Sequence, residues 1–189
     1  GQLFMVGLSS AASDAERAQT DGAISWLHAG NVVLFGTGWS GLPIIQPVTQ
    51  ALQSLAAAAN ASVGLFIAGN QEGGQQGTFQ AFYGAGFDAI PSALRQAGTG
   101  DPSTLTGEAQ VWGNQLAAAG VNLDLAPVLD TVPPNNLASN APIGYWDREY
   151  GTSPATVAEY GVAFLQGMHA GGVAVAIKHF PGLGRMIGN

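Results

Sequence analysis

Lys178 and His179 stand together at the end of an apolar run, 173–177, and Pro181 and Gly182 turn the backbone away directly after them. An ammonium and an imidazole delivered side by side at a strand mouth can grip hydroxyl groups or handle a proton. Comparable groups follow other apolar runs. Asn70 and Glu72 come after residues 63–68, Asp130 after residues 121–128, and Arg148 in the loop beyond. Amide, carboxylate, guanidinium, ammonium and imidazole together suit a ligand such as a sugar, whose neighbouring hydroxyls both donate and accept. Each group also has a plainer reading. Lys178 and His179 can be two solvated residues at a strand end, Arg148 a local ion pair with Asp147 or Glu149, and Asp130 a loop cap. Trp39, Tyr145 and Trp146 lie in similar loops, where they either stack on a sugar ring or pack.

Other chemistries fit less well. The three histidines, His28, His169 and His179, are scattered without metal-ligand spacing, and the first two fall near helix ends, where they meet the helix dipole. No Gly-x-Ser-x-Gly turn follows a strand. The glycine-rich stretch 69–77 lacks the lysine of a phosphate loop and carries Glu72 in its place. With no cysteine, neither a disulfide nor a thiolate is available. We therefore expect no metal and no cofactor.

The elements that must position these groups alternate. Strands are expected at 2–7, 30–36, 63–68, 121–128 and 173–177. Helices are expected from the Ser13-Asp14 start to about His28, at 44–60 after Pro43, at 104–119 with Gly120 as cap, and from Ser153-Pro154 to His169 or Ala170. Residues 75–103 read as one long loop with a short helix near 90–96, and loops of that length usually serve function. Apolar strands with helices between them and no hairpin signals predict a parallel α/β sheet. A doubly wound sheet and a (β/α)8 barrel both satisfy the pattern. Polar groups after several strands, long loops after strands, and no dinucleotide fingerprint after the first strand favour the barrel. Five strands in 189 residues fall short of the roughly 250 residues of such barrels, so the expectation is a TIM-barrel type truncated to its first five β/α units.

Composition narrows the partners. Charged residues are only 9% of the chain and the net charge is −7, with five basic residues, so nucleic acid and anionic membrane find no basic face. No apolar run is long enough to span a bilayer, and no signal peptide is expected within residues 1–189. Low charge and absent cysteine suit a protein exported by, or on the surface of, a bacterium. Unpaired strand edges in a shortened barrel would favour association.

Four motifs then stand out in order: Asn70-Gln-Glu-Gly-Gly74, Asn122-Leu-Asp-Leu-Ala-Pro-Val-Leu-Asp130, Ile143-Gly-Tyr-Trp-Asp-Arg148-Glu-Tyr-Gly151 and Lys178-His-Phe-Pro-Gly182. Together they resemble the N-terminal barrel domain of glycoside hydrolase family three, in its β-N-acetylhexosaminidase-like branch. The resemblance covers residues 1–189 as one domain. It implies a retaining hydrolase of β-linked sugars, often those of the cell wall, with Asn70, Arg148, Lys178 and His179 as substrate-binding residues. It assigns Glu72 and Asp130 to organising their loops and places the nucleophile on a strand beyond Asn189, so residues 1–189 alone should be inactive. The chain departs from the family pattern in three places. Asn70 stands where an aspartate is usual, no Lys or Arg occurs between Arg17 and Arg95, and Leu183 stands where histidine is more usual. These departures motivate a competing expectation, a non-catalytic carbohydrate-binding or scaffold protein.

Overall fold

The computed structural model describes residues 1–59 and 63–187. Five strands form one parallel sheet: β1 (Met5–Ser9), β2 (Asn31–Phe35), β3 (Phe66–Gly69), β4 (Leu123–Asp124) and β5 (Ala174–Val175). Between them run α1 (Asp14–Ser25), α2 (Leu42–Ala59), α3 (Ala93–Ala97), α4 (Pro102–Ala118) and α5 (Pro154–Ala170). The order is β1-β2-β3-β4-β5, each strand beside its predecessor. That order decides between the two candidate folds, because a doubly wound sheet reverses direction at a switch point and this one never does. The barrel-type reading holds.

Local chemistry explains the boundaries. Ser13 caps α1 in a full capping box, its hydroxyl accepting from the Glu16 amide while the Glu16 carboxylate reaches back to the Ser13 amide. Asp101 and Ser153 cap α4 and α5, each followed by proline at the start of the helix. Gly120 takes φ +76 after α4, as a helix-ending glycine should. The expected helix end at Asn60 falls outside the described residues.

The strands are shorter than expected, and β3 starts at Phe66 rather than residue 63. β1 starts at Met5 rather than residue 2, and β4 and β5 are two residues each. The apolar runs 121–128 and 173–177 are real, but Pro127 has no amide to give, and the ladder resumes only at a Val128–Lys178 bridge. Alternation along the strands separates two faces. Leu8, Val32, Leu34 and Ile67 are buried in a core with Ile24, Ile45, Leu52, Leu105, Leu116, Phe164 and Met168 from the helices. The opposite face carries Phe35 and Phe66, each about half exposed.

Candidate functional site

The site lies at the carboxyl ends of the strands, and β3 supplies its centre. Asn70 follows β3 directly, and the Gln71 amide donates to the Asp124 Oδ1 at 2.9 Å, tying the ends of β3 and β4 together. The loop then turns through Gly73, where φ is +98 and a Cβ would lie 2.2 Å from the Pro91 carbonyl, so only glycine fits. The long loop 70–92 has almost no regular structure, yet three buried glutamines hold it. Gln71 exchanges two hydrogen bonds with the Phe82 backbone, Gln80 bonds Asp88 and Ile90, and Gln96 reaches Glu72 and Pro91. Each amide side chain does what a neighbouring strand would otherwise do for that backbone.

Arg148 reaches the centre from the other long loop. A short turn, Gly144–Trp146, is capped by Asn140, whose Oδ1 accepts from Ile143 and Gly144. Asp147 then adopts the left-handed conformation, and the Leu94 amide bonds its carbonyl. Lys178 and His179 come from the end of β5. The Lys178 amide donates to the Pro127 carbonyl at 3.1 Å and the Leu129 amide to the Lys178 carbonyl at 2.7 Å, which sets His179 beside Asp130. The peptide between Lys178 and His179 is cis.

These paths meet at Glu72. Its carboxylate, only 4% exposed, accepts two bonds from Arg148, Nε at 2.8 Å and Nη2 at 2.9 Å, and pairs with Lys178 Nζ at 2.8 Å. The same Nζ donates to the Asn70 Oδ1 at 2.9 Å. A third Arg148 nitrogen donates to the Pro142 carbonyl, and the guanidinium lies 4.2 Å from the Phe79 ring centre. His179 Nδ1 pairs with Asp130 Oδ2 at 2.5 Å, while the other Asp130 oxygen accepts the Leu183 amide. The two cations outnumber the one carboxylate they share, and the bidentate Arg148–Glu72 pair fixes the guanidinium plane.

Asn70, Arg148 and Lys178 therefore gather around Glu72, and His179, the residue after Lys178, lies against Asp130. The local ion pair expected as an alternative for Arg148 is not formed; its partner is 76 residues away. Trp39 is corrected. It is 2% exposed, packed in the core with its ring nitrogen donating to the Phe35 carbonyl, and cannot meet a ligand. Tyr145 and Trp146 stay accessible at the rim, in edge contact with each other. Two groups were missed. Asp124 is fully buried below the site, and burial pushes its carboxyl up to about 7, with Glu72 adding to the rise and the Gln71 amide and Lys178 opposing it. Glu149 is also fully buried, and desolvation takes it up to about 7, with Asp147 contributing. The only sequence signal for Asp124 was a charge inside an apolar strand.

A sequential parallel sheet with helices on one face and converging polar groups at its strand ends defines a domain of the TIM-barrel type. The family model described as "Glycosyl hydrolase family 3 N terminal domain" matches residues 1–188, and the chain belongs to that family. It is 29% identical over 98% of its length to the beta-hexosaminidase of Xylella fastidiosa strain M12, covering 51% of that protein. It is also 29% identical to the beta-hexosaminidase LpqI of Mycobacterium bovis, covering 43% of it. The crystal structure of beta-N-acetylhexosaminidase from Beutenbergia cavernae superposes with a TM-score of 0.89 at 46% identity, over 100% of this chain and 54% of that one. The chain thus spans about half the length of the relatives it matches.

Proposed function

We propose that this chain supplies the sugar-holding floor of a retaining hydrolase of β-linked N-acetylhexosamine. The observation that carries this reading is the meeting of Arg148 and Lys178 on the buried Glu72 carboxylate, with the same Lys178 ammonium donating to Asn70 at the end of β3. Counting hydrogens shows what the cluster offers. Lys178 spends two of its three protons on Asn70 and Glu72, Arg148 keeps two N–H groups, and Asn70 keeps its NH2. The floor is therefore mainly a set of donors, matched to hydroxyl and acetamide oxygens. Glu72 does not touch the sugar in this reading; it aligns the two cations. Asp130 holds Nδ1 of His179, which leaves Nε2 for a hydroxyl.

In a retaining reaction one carboxylate attacks the anomeric carbon and a second group first protonates the leaving oxygen, then activates water. Glu72 is engaged by Arg148 and Lys178, and Asp130 by His179 and the Leu183 N–H. The nucleophile is accordingly expected from a strand beyond residues 1–189, and those residues alone should turn over no aryl β-N-acetylglucosaminide. In the complete protein, Lys178→Ala or Arg148→Ala should weaken N-acetylglucosamine binding by about 1–3 kcal/mol, the cost of a lost charged hydrogen bond. Isothermal titration checks this, and unchanged affinity would refute the site.

A second reading, a carbohydrate-binding protein without turnover, draws on Asn70. Its oxygen is taken by Lys178, so a neutral amide offers only donors where a carboxylate would accept from sugar hydroxyls. Chromogenic β-glycosides offered to the complete protein separate the two: binding with no release of chromophore favours this one.

A further inference from the structure

Asp124 ends β4, and its backbone carbonyl accepts the Ala176 amide at 2.8 Å, two residues before Lys178. Its side-chain Oδ1 accepts the Gln71 amide at 2.9 Å, from the residue between Asn70 and Glu72. One residue is thus bonded to both chain segments that bring Lys178 to its two partners. A parallel ladder needs the carbonyl contact but not the carboxyl. The whole residue is 0% exposed, and Oδ2 has no hydrogen-bond partner among the described residues. A buried acid with one oxygen idle costs stability, so its contact with the 70–72 segment is the only return visible for it.

The groups that face this carboxyl come from three elements. Lys178, after β5, favours its anion, as does the Gln71 amide, while Glu72, after β3, opposes it. The Tyr150 phenol, ahead of α5, is buried too and is pushed well up, first by that burial and then by the Asp124 and Glu72 charges. Arg148 lies one step further, on Glu72. Ionised, Asp124 sets a second carboxylate charge near Glu72 and competes with Glu72 and Asn70 for the Lys178 ammonium. Neutral, it keeps the Gln71 amide through Oδ1 and leaves Lys178 to those two residues. Burial takes the carboxyl up to about 7, so both forms are within reach near neutral pH. A sugar laid on the cluster displaces water from above it, and a drier site favours the neutral acid further.

We propose that Asp124 is a positioning residue for the sugar site: its protonated form holds the 70–72 segment in register with Lys178, and sugar binding draws a proton onto it. This role rests on the sugar-holding reading of Asn70, Arg148 and Lys178. Asp124 does not touch the ligand; it acts through Gln71 and Lys178.

Calorimetric titration of the complete protein with N-acetylglucosamine, in buffers of different ionisation enthalpy, reads proton uptake and affinity together. For a rise of about one pKa unit on binding, uptake should reach about half a proton per sugar near pH 7.5, and affinity should be about tenfold weaker at pH 9 than at pH 6. Asp124→Asn, which keeps an oxygen for the Gln71 amide and has no proton to exchange, should show neither the uptake nor the fall. His179, Asp130 and Glu149 are the same in both proteins, so the difference between the two profiles belongs to Asp124. Asp124→Ala, which frees the Gln71 amide, should bind about fivefold more weakly than Asp124→Asn near pH 6, the scale of one lost hydrogen bond. Should Asp124→Ala fail to fold, the Asn variant decides alone. Absence of proton uptake in the unaltered protein overturns the role, and so does an Asp124→Asn profile that superimposes on the unaltered one, or an Ala variant that binds as tightly as the Asn variant. Failure of the unaltered protein to bind the sugar at any pH overturns the sugar-holding reading instead, and the role of Asp124 falls with it.

Discussion

Two kinds of buried carboxylate sit within the same strand-end region, and they are treated in opposite ways. Glu72 is surrounded by cations, with Arg148 and Lys178 each at 2.8 Å. Asp124 has one oxygen on the Gln71 amide and the other without a partner among the described residues, and the Glu149 carboxyl has no cationic partner among them. The chain has few positive charges, five in all, and spends two of them on one carboxylate. What remains for Asp124 and Glu149 is neutralisation by a proton. A charge is kept where it organises other charges, and surrendered where it would only be buried.

Breaking the paired carboxylate should have the largest effect. Glu72→Ala leaves Arg148 and Lys178 adjacent, mostly buried and without their shared anion. Removing one partner of a buried ion pair costs about 3–5 kcal/mol, so denaturant unfolding should show a loss of that order. Sugar affinity should fall with it, because the two cations then repel one another out of alignment. Glu72→Gln keeps the shape and one acceptor, so it should be milder in stability yet still weaken binding.

Titrating the unpaired carboxylates gives the next effect. The folded pKa of Asp124 and of Glu149 is raised to about 7, above the ordinary carboxylate value. Between the unfolded and folded values the native state holds protons that the unfolded chain has lost, so stability falls as pH rises from about 4 to about 7 and then levels. Asp124→Asn mimics the protonated acid and retains an oxygen for the Gln71 amide. It should match the unaltered protein near pH 4 and exceed it in stability near pH 8, by a few kcal/mol at most, on the scale of about 1.4 kcal/mol per pKa unit. The groups facing Asp124 are Lys178, Glu72, the Gln71 amide and the buried Tyr150 phenol. Identical slopes of stability against pH for the two proteins would place the titration elsewhere.

The paired region was the more legible of the two in the sequence. Asn70, Arg148, Lys178 and His179 announce themselves as polar residues directly after apolar runs or within a motif, and strand order carries them to one face without further information. The alternation of strands and helices was equally plain, because Ser13, Ser153, Pro154 and Gly120 mark element ends by their own chemistry. The pairings were not readable. That Glu72 would bridge Arg148 and Lys178, rather than Arg148 turning to Asp147 or Glu149, depends on the path of two loops held by Gln71, Gln80, Gln96 and Asn140. Buried glutamine looks no different from surface glutamine in a sequence. Trp39 shows the same limit from the other side, since a loop tryptophan reads alike whether it faces solvent or core.

Ser92 sharpens the comparison at its small end. Its hydroxyl is buried, has no hydrogen-bond partner among the described residues, and fails to cap α3 although the residue occupies the N-cap position. It belongs with Asp124 and Glu149 among groups that folding has stripped of water, but it carries no charge and cannot relieve the burden by taking up a proton. Replacing a partnered hydroxyl normally costs about 1 kcal/mol, through the lost bond and the orphaned partner. Here there is neither a bond to lose nor a partner to orphan, and the desolvation penalty of the hydroxyl disappears with it. Ser92→Ala should therefore be neutral or stabilising, by at most about 1 kcal/mol, whereas Ser153→Ala, which removes a hydroxyl bonded to the Thr156 amide at the start of α5, should destabilise by about 1 kcal/mol. Urea denaturation midpoints for the two variants should move in opposite directions or leave Ser92→Ala unmoved; a loss for Ser92→Ala equal to that for Ser153→Ala would show that its hydroxyl is partnered after all.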